Sequence, residues 1–191
     1  MENGQKLQGK KVAALMTEGF ELAEYIEPRK ALEEAGATVH LIAPQGGEVK
    51  AWDESDWGDS FPVDLPLDGA DPNQYDALLL PGGAMNPDKL RMQPKAVQFV
   101  KSFFEQKKPV GAICHAPWLL IEADVVRGRT VTSYPSLQTD LRNAGANWVD
   151  QDVVTDMGLV TSRKPDDIPA FSRKLIEEIA EGVHNRQRTA A

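Results

Sequence analysis

The sequence predicts an α/β domain in which a mostly parallel β-sheet is covered by helices on both faces. Compact apolar runs alternate along the chain with helical patterns of about 10–17 residues, which is typical of βαβ units. The chain has 191 residues, a length that suits one large domain. Its composition, 41% hydrophobic and 26% charged, is that of an ordinary globular protein.

The predicted strands are compact apolar runs bounded by turn residues. The first follows Gly9, and the third, with the sequence DALLL, ends at Pro81-Gly82-Gly83. The last two are joined by a hairpin-like turn at Asp156-Met157-Gly158. In chain order the predicted strands are Lys11–Met16, Thr38–Ala43, Asp76–Leu80, Val110–Ile113, Arg129–Ser133, Trp148–Thr155 and Leu159–Ser162.

The predicted helices carry apolar side chains at near-helical spacing and have recognisable ends. Gly36 and Gly145 are suitable helix stops, and Ser136 is a suitable N-terminal cap. Pro117 lies in a first turn, where its missing N–H costs nothing. Pro28 predicts either a kink in the first helix or a later start of it. In chain order the predicted helices are Glu21–Glu34, a short turn that begins at Pro87, Pro94–Gln106, Ala116–Ala123, Ser136–Ala144 and Asp166–Gly182.

The segment Glu48–Asp68 is acidic and fits no single pattern. Its favoured interpretation is a solvated surface loop, although short alternating pieces also allow a small hairpin. Trp52 and Trp57 indicate that part of the segment packs against something.

Charge and cysteine content restrict the class of partner and the compartment. The net charge of −8 opposes a phosphate backbone, so no nucleic-acid partner is expected. A single cysteine cannot form an intramolecular disulfide, which fits a cytoplasmic location. We expect no signal peptide and no membrane span, since no apolar run approaches the roughly 20 residues that a span needs. Residues 1–9 are predicted to be a loose leader, 10–183 one domain and 184–191 a polar tail.

The only cysteine, Cys114, lies between a predicted strand and a predicted helix, and His115 follows it directly. A thiol at such a junction is near unpaired backbone N–H groups and the positive end of a helix, which both favour the thiolate. A Cys–His pair is also the minimal activated thiol nucleophile. A lone cysteine is as often an inert, buried small side chain. The context therefore makes Cys114 a predicted nucleophile, while the residue type alone does not.

Three loops are expected to meet at one edge of the sheet, because the crevice of a parallel sheet lies outside the carboxyl ends of its strands. Cys114 is on one of them. Another carries Glu18, Glu21 and Glu24. Such carboxylates ordinarily complement a helix dipole. Close to a thiol, however, a buried and protonated carboxylic acid donates a hydrogen bond that holds the thiolate.

The remaining loop carries Gly82, Gly83 and Ala84, and Asp88 follows it. Its backbone N–H groups, together with that of His115, are candidates for stabilising an oxyanion, although a glycine pair is by itself only a turn signal. No metal site is predicted, because the histidines have no ligand-like spacing with each other or with the cysteine. No cofactor is expected either, since the sequence lacks a phosphate-binding or dinucleotide fingerprint.

Several motifs together resemble the PfpI-type proteins, a branch of the class I glutamine-amidotransferase-like superfamily that includes intracellular proteases, protein deglycases and stress proteins. The resemblance runs from about Lys10 to Ile179. Its most specific parts are the motif Ile113-Cys114-His115-Ala116-Pro117 and the motif Thr132-Ser133-Tyr134-Pro135. The other matching pieces are Phe20–Glu24 with Pro28, Leu80–Gly83, Asn143–Gly145, Trp148–Asp150 and Leu159–Arg163.

The resemblance implies a flavodoxin-like three-layer sandwich in which Cys114 occupies a strained nucleophile elbow. It also implies that a glutamate hydrogen-bonds the thiol. That glutamate is Glu24 when Pro28 is kept in register, and Glu21 is the second choice. Tyr134 would line the pocket.

The resemblance further implies an oxyanion hole formed by the N–H groups of Gly83, Ala84 and His115. An acidic residue of a neighbouring subunit reaches the histidine in this family. Asp88 occupies that position here, where the type member has the longer glutamate. A site completed across an interface would require self-association, as a homodimer or a hexamer.

The implied function is that of a cytoplasmic stress-response cysteine hydrolase, deglycase-like or glyoxalase-like, because electrophilic carbonyl adducts suit a low-pKa thiolate. Two alternatives stay open: an intracellular cysteine peptidase, and a non-enzymatic redox sensor or holdase. The candidate substrates are small carbonyl compounds, glycated side chains or peptides. The motifs do not choose among these, since one fold serves several chemistries.

Overall fold

The structure of the protein is a computed structural model that describes residues 5–185, so residues 1–4 of the predicted leader and 186–191 of the predicted tail lie outside it. The strands are β1 (Lys11–Leu15), β2 (Phe20–Glu21), β3 (Thr38–Ala43), β4 (Glu48–Asp53), β5 (Asp56–Pro62), β6 (Leu65–Pro66), β7 (Ala77–Leu80), β8 (Val110–Ile113), β9 (Thr130–Val131), β10 (Asn147–Trp148), β11 (Val153–Asp156) and β12 (Leu159–Ser162). The helices are α1 (Ala23–Glu34), α2 (Met85–Leu90), α3 (Pro94–Glu105), α4 (Pro117–Glu122), α5 (Gln138–Asn143) and α6 (Ile168–Glu181).

The central sheet, within the part of the chain that is described, has seven strands in the order β11-β12-β8-β7-β1-β3-β6. Neighbouring strands are parallel except at the edge, where β11 runs antiparallel to β12. In the centre of the sheet, Val12 of β1 lies opposite Val39 of β3 on one side and Ala77 of β7 on the other. The mostly parallel sheet confirms the predicted fold class.

The sheet separates two apolar cores. Along β1, Ala13 and Leu15 belong to one core and Val12 and Ala14 to the other, because successive residues of a strand point to opposite faces. Helices α3 and α4 contribute to the first core, and α1 and α6 to the second. A strand that is buried on both faces must be apolar throughout, which is why these strands are compact hydrophobic runs. The result is the three-layer sandwich that the resemblance implies.

The long helices follow from their apolar faces. In α3, Phe99, Val100 and Phe103 are buried, and Pro94 occupies the first turn, where a missing N–H is harmless. In α6, Phe171 and Leu175 are one turn apart and buried against the sheet. Helix α1 continues through Pro28, so this proline neither ends nor starts it. No helix within residues 5–185 is both long enough and apolar enough to cross a bilayer.

The favoured interpretation of Glu48–Asp68 as a solvated loop is wrong, because β4 and β5 form an antiparallel hairpin there. β4 also pairs with β2, which gives a small three-stranded sheet. In β4 the buried Val49 and Ala51 alternate with residues that are more accessible to solvent. This is a period-two pattern, although the segment as a whole is acidic. The rings of Trp52 and Trp57 meet edge to face, with centroids 5.5 Å apart.

Two further predicted strands are shorter than expected. Arg129–Ser133 reduces to β9, and Trp148–Thr155 divides into β10 and β11. β9 and β10 form a separate parallel pair outside the central sheet. Between β10 and β11, Asp150 accepts a hydrogen bond from Arg163 Nη1 at 2.9 Å.

Packing of the chain begins before Lys10, so the leader differs from the prediction where it is described. Leu7 is fully buried in the core that α1 shares with α6. Its backbone N–H donates to Ala35 O at 2.8 Å, just after the end of α1. At the other end, the His184 N–H donates to Lys107 O at 2.8 Å, so the chain is held there beyond α6.

Replacing Leu7 by alanine tests whether the start of the chain contributes to the core. We expect Leu7→Ala to lower the free energy of unfolding by about 2–5 kcal/mol, because it leaves a cavity in a packed core. Urea denaturation followed by circular dichroism measures this change. Met92→Ala is the control, since Met92 is 80% exposed and its truncation is expected to cost less than about 0.5 kcal/mol. Equal effects of the two substitutions would contradict the packed position of Leu7.

Candidate active site

The centre of the candidate site is a sharp turn at Cys114, between β8 and α4. Cys114 has φ +64°, in the left-handed region that a non-glycine residue adopts only under constraint. The constraint comes from both sides, since its N–H donates to Ser162 O at 3.0 Å and its carbonyl accepts from the Tyr134 N–H at 2.9 Å. The strained elbow implied by the resemblance is therefore present, and Cys114, which is 7% exposed, lines a cleft.

The same turn brings His115 onto the thiol. Neighbouring residues of a regular helix do not face each other, yet Cys114 Sγ lies 3.0 Å from His115 Nδ1. The imidazole is stacked on the Tyr134 ring, with centroids 4.6 Å apart, and Trp118 meets it edge to face. Burial lowers the pKa of His115, so the imidazole is neutral at neutral pH.

Glu24 places a carboxyl group beside the thiol from the first turn of α1. Its side chain is fully buried, and Oε2 accepts a hydrogen bond from the Gly82 N–H at 2.8 Å. Oε1 is buried and has no hydrogen-bond partner of good geometry among residues 5–185. Burial raises the pKa of Glu24 to about 8, so the carboxyl group is protonated at neutral pH.

Glu24 and Cys114 therefore titrate as a pair. Burial raises the pKa of the thiol, and a charged Glu24 raises it further. The backbone N–H groups of Gly83 and His115 lower it. A proton on Glu24 removes the repulsion between the two groups and supplies a donor for the sulfur. The arrangement thus accommodates one negative charge and one proton over the two side chains.

The two glycines of the second loop permit this close approach. A Cβ on Gly82 would lie 2.5 Å from Glu24 Oε2 and 2.6 Å from Cys114 Cβ, so any larger residue would separate the pair. Gly83 has φ +76°, and a Cβ there would lie 2.6 Å from Gly19 O.

Asn86 fixes the glycine loop to the first loop, and sequence reasoning missed it. Its fully buried side chain accepts from the Thr17 N–H at 2.8 Å and donates to Pro81 O and Gly82 O at 3.0 and 3.1 Å. An asparagine just after a strand normally indicates an exposed turn. Nothing in the local sequence distinguishes this buried linking role from that common one.

The cleft above the thiol has a volume of about 500 Å³. Most predicted site residues line it together. The hairpin adds Trp52 and Glu54, which the sequence did not indicate. The residues that line the cleft are Gly19, Glu21, Glu24, Trp52, Glu54, Gly83, Ala84, Met85, Cys114, His115, Tyr134 and Pro165.

Glu21 and Ala84 line this cleft but do not contact the thiol, whereas Glu24 and Gly83 do. Glu21 lies in β2, before the helix that was predicted to contain it, because Phe20 and Glu21 pair with β4. Its Oε1 accepts from the Glu54 N–H at 3.1 Å, which ties the hairpin to the site. Burial raises the pKa of Glu21. Ala84 is exposed at the start of α2.

Asp88 lies outside the cleft. It is exposed on α2, and within the described chain it does not contact His115. A role toward a neighbouring subunit therefore stays a prediction. Glu18, which falls outside the resemblance, is half-buried and does not line the cleft either.

Among residues 5–185, one group of three potential metal ligands lies close together: Glu178, Glu181 and His184, at the end of α6. His184 Nε2 is 3.0 Å from Glu178 Oε2, and this contact accounts for the cluster. None of the three residues lines the cleft of Cys114.

Comparison with known proteins places this geometry in a family. Residues 10–178 match the DJ-1/PfpI family. The chain is 46% identical to general stress protein 18 of Bacillus subtilis over 87% of this chain and 95% of that protein. It is 44% identical to the provisionally named cysteine protease YraA of the same species, over 86% and 95%. It is 44% identical to protein/nucleic acid deglycase 2 of Escherichia coli, over 87% and 96%.

Solved structures agree with these sequence relatives. Drosophila melanogaster DJ-1beta superposes with a TM-score of 0.81 at 30% identity, covering 90% of each chain. A two-domain protein of Anabaena variabilis, with a DJ-1/ThiJ/PfpI-like and a ferritin-like domain, gives a TM-score of 0.84 at 36% identity. That match covers 89% of this chain and about half, 48%, of the two-domain protein. With its elbow, its buried glutamate and these relatives, the chain belongs to the DJ-1/PfpI family.

Proposed function

We propose that this protein is a cytoplasmic, stress-related cysteine hydrolase that acts on reactive carbonyl adducts, as a deglycase or a glyoxalase-like enzyme. The observation that carries the proposal is the Glu24–Cys114 pair. One buried carboxyl group, with its pKa raised to about 8, lies beside a thiol on a strained elbow. Such a pair supplies a sulfur nucleophile and a proton donor at one position.

Addition to a carbonyl group uses both the sulfur nucleophile and the proton donor. The sulfur of Cys114 bonds to the carbonyl carbon, while the electron pair of the C=O bond moves onto oxygen. The N–H groups of Gly83 and His115 already point at the thiol, so they lie near the oxyanion that forms there. The proton that the oxyanion takes up comes from Glu24, which is protonated at neutral pH. With methylglyoxal, the thiohemiacetal carbon then loses its hydrogen as a proton to give an enediol, and a proton returns to the neighbouring carbon, which leaves a lactate thioester on Cys114. Water adds to the thioester carbonyl and the C–S bond breaks, which releases lactate and returns the thiol.

The cleft favours small substrates without negative charge. Its volume of about 500 Å³ suits a small carbonyl compound or a modified side chain. Glu21 and Glu54 line it, and none of its lining residues is a lysine or an arginine. Coulomb repulsion therefore disfavours carboxylate and phosphate substrates. The name of one relative, a deglycase, supports the same substrate class, and the name of another, a general stress protein, supports the stress-related role.

Turnover of methylglyoxal tests the proposal. We expect the protein to convert methylglyoxal and water into lactate, measured with a lactate assay. Cys114→Ser should lower the rate by at least about a thousandfold, because the hydroxyl is a far weaker nucleophile than a thiolate in this setting. Full activity in Cys114→Ser, or no turnover by the wild-type protein of methylglyoxal or of a glycated peptide, would contradict the proposal.

The reactivity of the thiol tests the role of Glu24. The pH midpoint of Cys114 alkylation by iodoacetamide should rise by about one unit or more in Glu24→Leu, because the thiolate loses a charge-assisted hydrogen bond of about 1.5–3 kcal/mol. Glu24→Gln should raise it less, since its amide N–H still donates. If the negative charge of the pair stayed on Glu24, removing that charge would lower the midpoint in Glu24→Leu. A lower midpoint would therefore contradict the proposed protonation.

Cysteine peptidase activity is the second candidate function. The 3.0 Å contact between Cys114 and His115 favours it, because peptide hydrolysis needs an imidazole that protonates the leaving amine. The relative YraA also has a protease name. Against it, an extended peptide would have to reach a cysteine that is only 7% exposed.

Comparing the two activities in one preparation separates the candidates. We expect kcat/KM for methylglyoxal or a glycated peptide to exceed that for unmodified fluorogenic peptides, because the cleft is small and the thiol is buried. Cys114→Ser identifies cleavage by a contaminating protease. The reverse ranking, with peptide cleavage abolished in Cys114→Ser, would favour the peptidase.

A further inference from the structure

We propose that Ser136 is the positioning residue of His115, so that Cys114, His115 and Ser136 form one chain of side chains within a single subunit. This inference rests on the proposed function, because it assigns His115 to the chemistry of the thiol. It assigns orientation of the imidazole to a group of the same subunit, and the acidic residue that the resemblance places in a neighbouring subunit is the alternative that the test compares with it.

The contacts run in a line through the imidazole. Nδ1 of His115 lies 3.0 Å from Cys114 Sγ, and Nε2 lies 3.3 Å from Ser136 Oγ. The two ring nitrogens thus face two different side chains. Tyr134 stacks on the ring at an interplanar angle of 23°, and Trp118 contacts its edge. The aromatic neighbours fix the plane of the ring, while the thiol and the hydroxyl meet its two polar atoms.

Ser136 is available for this contact because it does not cap a helix. The sequence suggested a cap for the helix that begins there, but Pro135–Leu137 form a 3₁₀ turn ahead of α5, with no side-chain cap. The turn is held against the elbow by the hydrogen bond from the Tyr134 N–H to Cys114 O. Leu137 anchors its other end in the core. The hydroxyl is therefore placed by the same backbone that shapes the nucleophile.

The hydroxyl can partner either tautomer of His115, and next to a thiolate it supplies the donor that the Nδ1–H tautomer needs. A neutral imidazole has one N–H and one bare nitrogen, and a thiolate can only accept a hydrogen bond. Next to a thiolate, Nδ1 must carry the proton, which leaves Nε2 in need of a donor. Ser136 O–H is that donor. When the proton returns to sulfur, S–H donates to Nδ1 and Nε2–H donates to the hydroxyl oxygen. A hydroxyl suits both states, since it donates and accepts, whereas a carboxylate would only accept.

No carboxylate of the described chain makes this contact. Asp88 is exposed on α2 and outside the cleft. Asp140 affects His115 only indirectly. It accepts a hydrogen bond from Trp118 Nε1 at 2.9 Å and so holds the indole that packs on His115. Glu21 and Glu24 line the cleft, where they accept hydrogen bonds from the Glu54 N–H and the Gly82 N–H.

The test is the tautomer of His115, measured by ¹⁵N NMR on histidine-labelled protein without substrate at about pH 8, where a neutral imidazole is expected. His115→Gln identifies the signals of this ring. We expect the wild-type protein to show mainly the Nδ1–H form, and Ser136→Ala to move the population toward Nε2–H. Ser136→Thr retains the hydroxyl and should restore the wild-type spectrum. Ser60→Ala, at an exposed serine of β5 outside the cleft, is the matched control.

Kinetics give a second readout. Loss of one hydrogen bond to a neutral imidazole should slow alkylation of Cys114 about 2–10-fold in Ser136→Ala and lower kcat by a similar factor, with KM unchanged. Ser136→Thr should recover most of both rates. A purely structural role of Ser136 would change stability without moving the tautomer.

Three results would overturn the proposal. They are identical imidazole signals in Ser136→Ala and the wild-type protein, an equal shift in Ser60→Ala, and a shift in Asp88→Asn without one in Ser136→Ala. The last result would assign the role to the acidic residue of a neighbouring subunit. Because the spectra need no substrate, the role of Ser136 can be tested even if the protein does not turn over carbonyl compounds. Turnover without a tautomer shift leaves the proposed function standing.

Discussion

The site depends on one buried carboxyl group. Glu24 has no cation beside it, and its only direct hydrogen bond of good geometry in the described chain comes from the Gly82 N–H. A charge in that position is costly, so the group keeps its proton at neutral pH. Burial also opposes a charge on the neighbouring sulfur, and the backbone N–H groups of Gly83 and His115 partly offset that cost. Three features keep the carboxyl group close to the thiol: glycine at position 82, the linking side chain of Asn86 and the left-handed backbone of Cys114. Part of the backbone strain of the fold thus lies where the chemistry is proposed.

The sequence was sufficient for the main architecture and for the centre of the site. Apolar runs that are buried on both faces predicted β1, β3, β7 and β8, and the loops that follow β1, β7 and β8 meet at one edge, as expected for a parallel sheet. The resemblance then selected Glu24 over Glu21, and the structure places Glu24 beside the thiol. These features were predictable because they depend on local pattern and on a rule of topology.

The residues that were missed act through contacts between distant parts of the chain. Asn86 binds the backbone at Thr17, 69 residues away, and local sequence carries no sign of that. Serine at position 136 is a residue type that is typical of a helix cap. Only the position of the 3₁₀ turn brings its hydroxyl to His115. The hairpin was missed because its segment is acidic on average along the sequence. The burial of Leu7 was missed because polar residues surround it in the sequence. In each case tertiary packing decided between two roles that the same residue type can fill.

The cleft is assembled from two independent pieces of chain. The elbow and the buried glutamate belong to the central sandwich, whereas Trp52 and Glu54 come from the hairpin, which is joined to the site through the two-residue strand β2 and the contact of Glu21 with Glu54. Substitutions on the hairpin can therefore alter which molecules enter without disturbing the nucleophile or the core. A fold divided in this way can diversify its selectivity while its reactive centre stays constant.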